Sequence, residues 1–207
     1  MKKKAKNTKD IILKTSELLF SKYGYDSTSV DAIAKKAKIP KSLIYYYFKS
    51  KKQILETLFN DFEKELVELK EKIFDEVFPD ESGKINPAFK GSLIKYTFPF
   101  LEKWKNIIKI AFVEEIKSFS KGPLFKYFDL NLSIARELYH KHNLNPDFSE
   151  DRITSIFFNS FLPLIGYTIF IDEWCLHYKV EKDKVKKIIT DELFEHFEHF
   201  IDNLISF

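Results

Sequence analysis

Apolar residues recur at steps of three and four along nearly the whole chain, a spacing that predicts helices throughout and leaves no alternating stretch for a strand. A first helix is predicted over about residues 8–23. Ile12, Leu19, Phe20 and Tyr23 form its stripe, Thr8 can cap its start, and Gly24 can take the left-handed conformation that ends it. Thr28-Ser29-Val30-Asp31 then offers a hydroxyl cap with an acid three residues on. Val30, Ile33, Ala34 and Ala37 follow at i, i+3, i+4, i+7, giving a short amphipathic helix that stops near Lys38. Ile39-Pro40 restarts the chain, because proline is tolerated in a first helical turn but not inside the helix before it. The next short helix, about Lys41 to Phe48, buries Ile44 and Phe48 and leaves Lys41, Ser42, Tyr45 and Tyr46 on other faces.

Ser50-Lys51-Lys52-Gln53 fits a capping box and opens a long helix with apolar positions Leu55, Leu58, Phe62, Leu66, Leu69, Ile73 and Val77. At 1.5 Å per residue it spans roughly 40 Å. A loop at 79–87 follows, then helices at about 88–101 with a kink expected at Pro99, 103–118, 124–142, 150–178 and 182–205, with breaks at Gly122-Pro123 and Asn143–Pro146. The helix at 150–178 is apolar nearly all round, and the last one carries Val185, Ile188, Ile189, Leu193, Phe197, Phe200, Ile201 and Leu204 on one face. A helix apolar on every side must be covered on every side, so these last two are the candidate homodimer interface. The expected fold class is all-α, about nine helices, with a head at 6–66 and a body at 67–207.

At 207 residues, 44% hydrophobic and 31% charged, the chain is long enough for a real core, and 22 Phe against 5 Gly and 7 Pro exclude collagen, disorder and a many-turned sandwich. A single cysteine, Cys175, permits no internal disulfide and favours a cytoplasmic address. The basic Met1–Lys6 start lacks the apolar run of a signal peptide. Ile153–Ile171 has no charge over 19 residues, which is long enough to cross a bilayer. Its Thr154, Ser155, Asn159, Ser160, Pro163, Gly166 and Thr168 instead favour a buried helix of a soluble protein and no membrane partner.

Charge changes the picture more. The net charge of +3 conceals a head of residues 1–52 with fourteen Lys against four acids, net +10, and a remainder of net −7. A cationic head on an anionic body suits a polyanion met at one end only, and nucleic acid is the first candidate. A Lys-rich solvated surface is the bland alternative.

Two short helices joined by a tight turn inside a basic head form a helix-turn-helix arrangement, whose second helix enters the DNA major groove. Ser29-Val30, Ile33-Ala34, the closing Tyr45-Tyr46-Tyr47-Phe48 and Lys51, with Phe20, Gly24 and Tyr25 before them, resemble the tetracycline-repressor-like (TetR) family of bacterial regulators over about the first 60 residues. Lys38 stands where that family usually has the glycine of the turn, and Pro40 and Ser42 replace its common Ser and Gly. The resemblance implies a recognition helix in which Lys41, Ser42 and Leu43 face base edges and Tyr45, Tyr46 and Tyr47 meet phosphates, sugars or thymine methyls. It further implies that Thr28 and Ser29 with the amide end of the second helix hold one phosphate, and Lys51 with the amide end of the fourth helix another. Tyr45 and Tyr47 as core residues are the structural alternative, and Lys49 and Lys52 read as solvated.

In the body, the resemblance implies an effector pocket, with Phe112, Tyr127, Phe157, Phe158, Phe161 and Tyr167 as candidate lining for a bulky apolar molecule. Ordinary core is the competing reading. No cofactor and no metal is expected. His196 and His199 beside Glu192 and Glu195 read as solvated surface, and His140 and His142 as cations at a helix carboxyl end. Cys175 beside Trp174 reads as a buried small residue. Glu114, Glu115, Asp172 and Glu173 are scattered and suggest no enzyme. The expectation is a dimeric transcriptional regulator, a repressor released from an imperfectly palindromic operator by a small apolar effector. A sequence-independent architectural DNA binder and an all-helical enzyme or carrier with a basic surface are the alternatives.

Overall fold

The computed structural model describes residues 2–77, 89–118, 122–141 and 148–192, which are helical with short connections and contain no strand. The elements are α1 (Lys2–Tyr23), α2 (Val30–Ala37), α3 (Lys41–Tyr47), α4 (Lys51–Val77), α5 (Phe89–Lys103), α6 (Lys105–Ser118), α7 (Pro123–Lys141), α8 (Glu150–Ile156), a π-helical turn (Phe157–Phe161), α9 (Leu162–Tyr178) and α10 (182–192). The loop at 79–87, the break at 143–146, His142, and Leu193, His196, Phe197, His199, Phe200, Ile201 and Leu204 of the last helix lie outside the described residues.

Two compact units divide the chain. The first is residues 1–66 with 106–124, and the second is 67–105 with 125–207. In the first, Ile12, Leu19 and Phe20 are buried as the spacing predicts, but Tyr23 is 56% exposed, and Ser16 takes the inward position between Ile12 and Leu19. α1 begins at Lys2, so Thr8 lies within the helix rather than capping it. Ile33, Ala34, Ile44, Phe48, Ile54, Leu58, Phe62 and Leu66 complete that side of the core. α6 adds Ile107, Ile108, Ile110 and Ala111, and its Asn106 amide donates to Glu17 Oε1 on α1 at 3.0 Å. Buried Glu115 accepts the Leu124 N–H at 2.9 Å, serving the amino terminus of α7. A Cβ on Gly122 would fall 2.4 Å from Glu115, so only glycine fits there.

In the second unit, Ile73 and Phe74 of α4 pack with Ile134, Leu138 and Tyr139 of α7, and the Phe74 and Tyr139 rings meet edge to face at 5.0 Å. Pro99 sits inside α5 without ending it. The expected helix at 150–178 is interrupted by the π turn, where the Leu162 N–H donates to Phe157 O. The physical reason lies one residue on: Pro163 has no N–H for the carbonyl one turn back, and a widened turn relieves the ring's clash with that carbonyl. By length and composition Glu150–Tyr178 is a candidate membrane span, and only 17% of its most apolar window is buried within the chain. The expected burial is therefore only partial. Ile165, Thr168, Ile169 and Ile171 face inward, whereas Phe158, Phe170, Trp174, Leu176 and Tyr178 are exposed.

Candidate nucleic-acid interface

The α1–α2 connection is where local sequence chemistry first becomes a site. Gly24 takes φ +85° and its N–H donates to Phe20 O at 3.0 Å, which closes α1. Thr28, expected as a phosphate ligand, is 2% exposed, and its hydroxyl lies 2.8 Å from Gly24 O and 3.3 Å from Leu19 O. Burial against the end of α1 removes it from the surface. Ser29 is exposed and is the N-cap of α2: its hydroxyl accepts the Ala32 N–H at 3.1 Å. Asp31 does not complete a capping box. Its carboxylate reaches Lys41 Nζ on α3 at 2.7 Å, an exposed ion pair that holds the Lys41 amine above its ordinary range through that hydrogen bond.

The turn between α2 and α3 keeps its shape without a glycine. Lys38 adopts φ 55°, its N–H donates to Lys35 O at 3.3 Å, and the Ile39 N–H donates to Ala34 O at 3.1 Å. These are the paired bonds of a left-handed helix stop. α3 then anchors through Ile44 and Phe48, 1% and 2% exposed. Lys41, Ser42, Tyr45 and Tyr46 share the solvent face, Tyr46 most openly at 78%, while Leu43 and Tyr47 are half-buried. The Tyr46 and Tyr47 rings meet edge to face at 5.0 Å. Tyr45, half exposed, is not core.

Ser50 caps α4 by accepting the Gln53 N–H at 3.1 Å, while Gln53 Oε1 accepts from Lys49 N at 2.6 Å. Lys51 turns inward. Its ammonium donates to Tyr25 O at 2.7 Å, Thr28 O at 3.0 Å and Asp26 O at 3.3 Å, and lies 4.2 Å from the Tyr25 ring centroid. Asp26 in turn meets Lys117 of α6 at 3.2 Å. Lys117 also binds Glu114 at 2.9 Å, the main reason its amine is held above the ordinary range. Partner choice of this kind depends on three-dimensional neighbours, so sequence spacing gave no signal for it.

Of the candidate pocket residues, Phe157, Phe158 and Phe161 are brought together on the π turn, and Phe125 and Phe128 of α7, which the sequence reading missed, join them. Phe128 lies 4.9 Å from Phe157 and 5.2 Å from Phe161, and Phe125 lies 5.5 Å from Phe157. The apolar run at the start of α7 was the available signal. Tyr127 is buried on α7, and Tyr167 pairs instead with Phe98 at 5.3 Å. Phe112 lies on α6 in the first unit. The acids of the enzyme reading are engaged: Glu114 with Lys117, Glu115 with α7, and Asp172 with Lys105 and Lys182. Those two ammonium groups hold the Asp172 carboxyl below its ordinary range. Among the described residues no His, Cys, Asp and Glu cluster could hold a metal.

A solvent-facing helix with cationic and phenolic side chains, set by a tight turn against a capped helix, is the geometry of a helix-turn-helix DNA-binding head. Residues 12–58 match the family model described as bacterial regulatory proteins, tetR family. It is 50% identical over 48 residues to the biofilm operon icaADBC HTH-type negative transcriptional regulator IcaR of Staphylococcus aureus, a match covering 23% of this chain and 26% of the relative. It is 45% identical over 55 residues to the uncharacterized HTH-type transcriptional regulator YuxN of Bacillus subtilis, covering 27% and 19%. The chain thus spans about a quarter or less of the curated relatives it matches. A transcriptional regulator (TerR/AcrR family) from Aquifex aeolicus shares the fold at TM-score 0.57 and 22% identity, covering 92% of this chain and 98% of that one. A TetR-like transcriptional regulator from Rhodococcus sp. RHA1 does so at 0.58 and 15%, covering 92% and 96%.

Proposed function

We propose that the protein is a dimeric transcriptional regulator that binds an imperfect palindrome through α3 and is released from it by a small, largely apolar effector. One observation carries the DNA half of this reading: Lys41, Ser42, Tyr45 and Tyr46 present a polar face on a helix whose opposite face is buried by Ile44 and Phe48. Lys41 and Ser42 reach base edges, Leu43 a thymine methyl, and the tyrosines phosphates or sugars. Ser29 and the free amides opening α2 hold a phosphate.

The exposed apolar face of α9, with Phe170, Trp174 and Tyr178 at i, i+4, i+8, supports a second copy as the cover, joined by α10 with its exposed Ile188. Two heads would then read half-sites about 34 Å or a multiple apart. The aromatic cluster on the π turn and α7 supports an apolar effector, since π turns recur at functional sites. An electrophoretic shift of the upstream DNA of its own gene, with and without excess random DNA, tests the reading. Specific retention that is lost on adding an apolar compound found by thermal stabilisation supports it. Equal retention of random DNA supports an architectural binder, and no retention sinks both.

A further inference from the structure

We infer that Lys51 is a positioning residue, which fixes the α1–α2 turn and through it the amino terminus of α2, and is not itself a ligand of DNA phosphate. The inference rests on the DNA-binding reading above. An ammonium carries three protons, and the acceptors at Tyr25 O, Thr28 O and Asp26 O engage all of them. The Tyr25 ring closes a further side at 4.2 Å. A phosphate could take this ammonium only by displacing a carbonyl, and would leave that carbonyl without its donor beside the end of α1.

The position of these carbonyls gives the grip its consequence. They belong to the residues just before Ser29, the N-cap of α2, and the turn's other ties are the Thr28 N–H to Tyr25 O bond at 3.2 Å, the Thr28 hydroxyl on α1, the Asp26–Lys117 ion pair at 3.2 Å and the Tyr25 ring against Phe20 at 5.2 Å, none of which gathers the carbonyls of Tyr25, Asp26 and Thr28 on one donor. Lys51 is also the first residue of α4, so one side chain ties the start of α4 to the entry of α2. Releasing it frees the amides that would meet the phosphate, while every residue that touches DNA stays in place.

The test compares Lys51→Arg and Lys51→Met with the wild type, as full-length proteins at a temperature where circular dichroism shows each to be folded. A planar guanidinium keeps the charge and serves a phosphate well, but it cannot converge on three carbonyls as an ammonium does. The expected result is that Lys51→Arg loses at least fivefold in affinity for the upstream operator and lowers the operator-to-random ratio. The salt slope of binding stays at the wild-type value in both variants, and amide exchange over residues 26–31 of the DNA-free protein accelerates.

A role confined to global stability would lower the melting temperature and leave that ratio unmoved, which overturns the proposal. So do full affinity in Lys51→Arg, a salt slope reduced by about one unit per head in Lys51→Met, or unchanged amide exchange. If Lys51→Met does not fold, Lys51→Arg decides alone. Should the wild type show no preference for operator, the DNA reading fails, and amide exchange in the DNA-free variants still decides whether Lys51 pins the turn.

Discussion

Lys38 holds a left-handed conformation at φ 55°, where an L side chain crowds its own backbone. Lys38→Gly should therefore stabilise the protein by about 1 kcal/mol, read as a higher urea midpoint at unchanged slope. A neutral or destabilising effect would show that the turn is shaped by more than backbone sterics. Asp31 is the acid that α2 places beside α3, paired with Lys41 at 2.7 Å. In the free protein it orients that lysine, and near DNA it repels phosphate. Asp31→Asn should raise affinity for random DNA about two- to tenfold and narrow the operator-to-random ratio, as filter binding at low salt would measure. An unchanged ratio would remove Asp31 from any part in recognition. At this scale Lys38 and the exposed α3 residues follow from turn and period, whereas the hydroxyl cap with an acid three residues on pointed to Thr28 and Asp31, and the N-cap is Ser29, one residue later. The roles of Thr28 and Lys51 were not legible, because a hydroxyl or an ammonium takes whichever carbonyl the fold brings near, and both found backbone rather than solvent.

Helix existence and type followed from the apolar period, and the boundaries of α2, α3 and α4 came within a residue or two because Ser29, Pro40 and Ser50 punctuate them. What the period could not say is which partner a helix face meets. α6 reads simply as an amphipathic helix of the body, yet residues 106–124 form one compact unit with 1–66. The π turn escaped notice because its cause is a missing N–H at Pro163, not a change of pattern. Within the second unit, Lys70 stands one turn from Val67 and from Ile73 and Phe74 on the same helix, and burial pushes its amine down to about 8. Its folded value thus lies below its unfolded one. The charged form is penalised on folding, and stability should rise as pH climbs from about 8 towards the ordinary lysine range, where the unfolded chain binds the extra proton. Lys70→Met should raise stability at pH 7 by about 1–3 kcal/mol and flatten that rise, as urea titrations at several pH values would show. A wild-type curve that falls over the same window, or a destabilised variant, would contradict this account of Lys70.

For the whole molecule, the charge asymmetry and the all-round apolar character of the helix at 150–178 were both visible in the sequence, and both speak to what lies outside a single chain. Phe170 lies on the exposed apolar face of α9 and is 54% exposed, so Phe170→Asp should leave the protomer folded. If α9 is covered by a second copy, the substitution should yield monomers in sedimentation and a loss of tight binding to a two-half-site operator. A stable dimer carrying the change would place the interface elsewhere. The central claim is sequence-specific binding through α3, and the most direct measurement is the ratio of affinities for the upstream operator and random DNA, in the wild type and in Lys41→Ala. The wild type should prefer operator by about a thousandfold or more at physiological salt, and Lys41→Ala should shrink that preference by about 1–3 kcal/mol while binding random DNA nearly as before. Equal affinity of the wild type for both DNAs, or equal losses on both in Lys41→Ala, would contradict it.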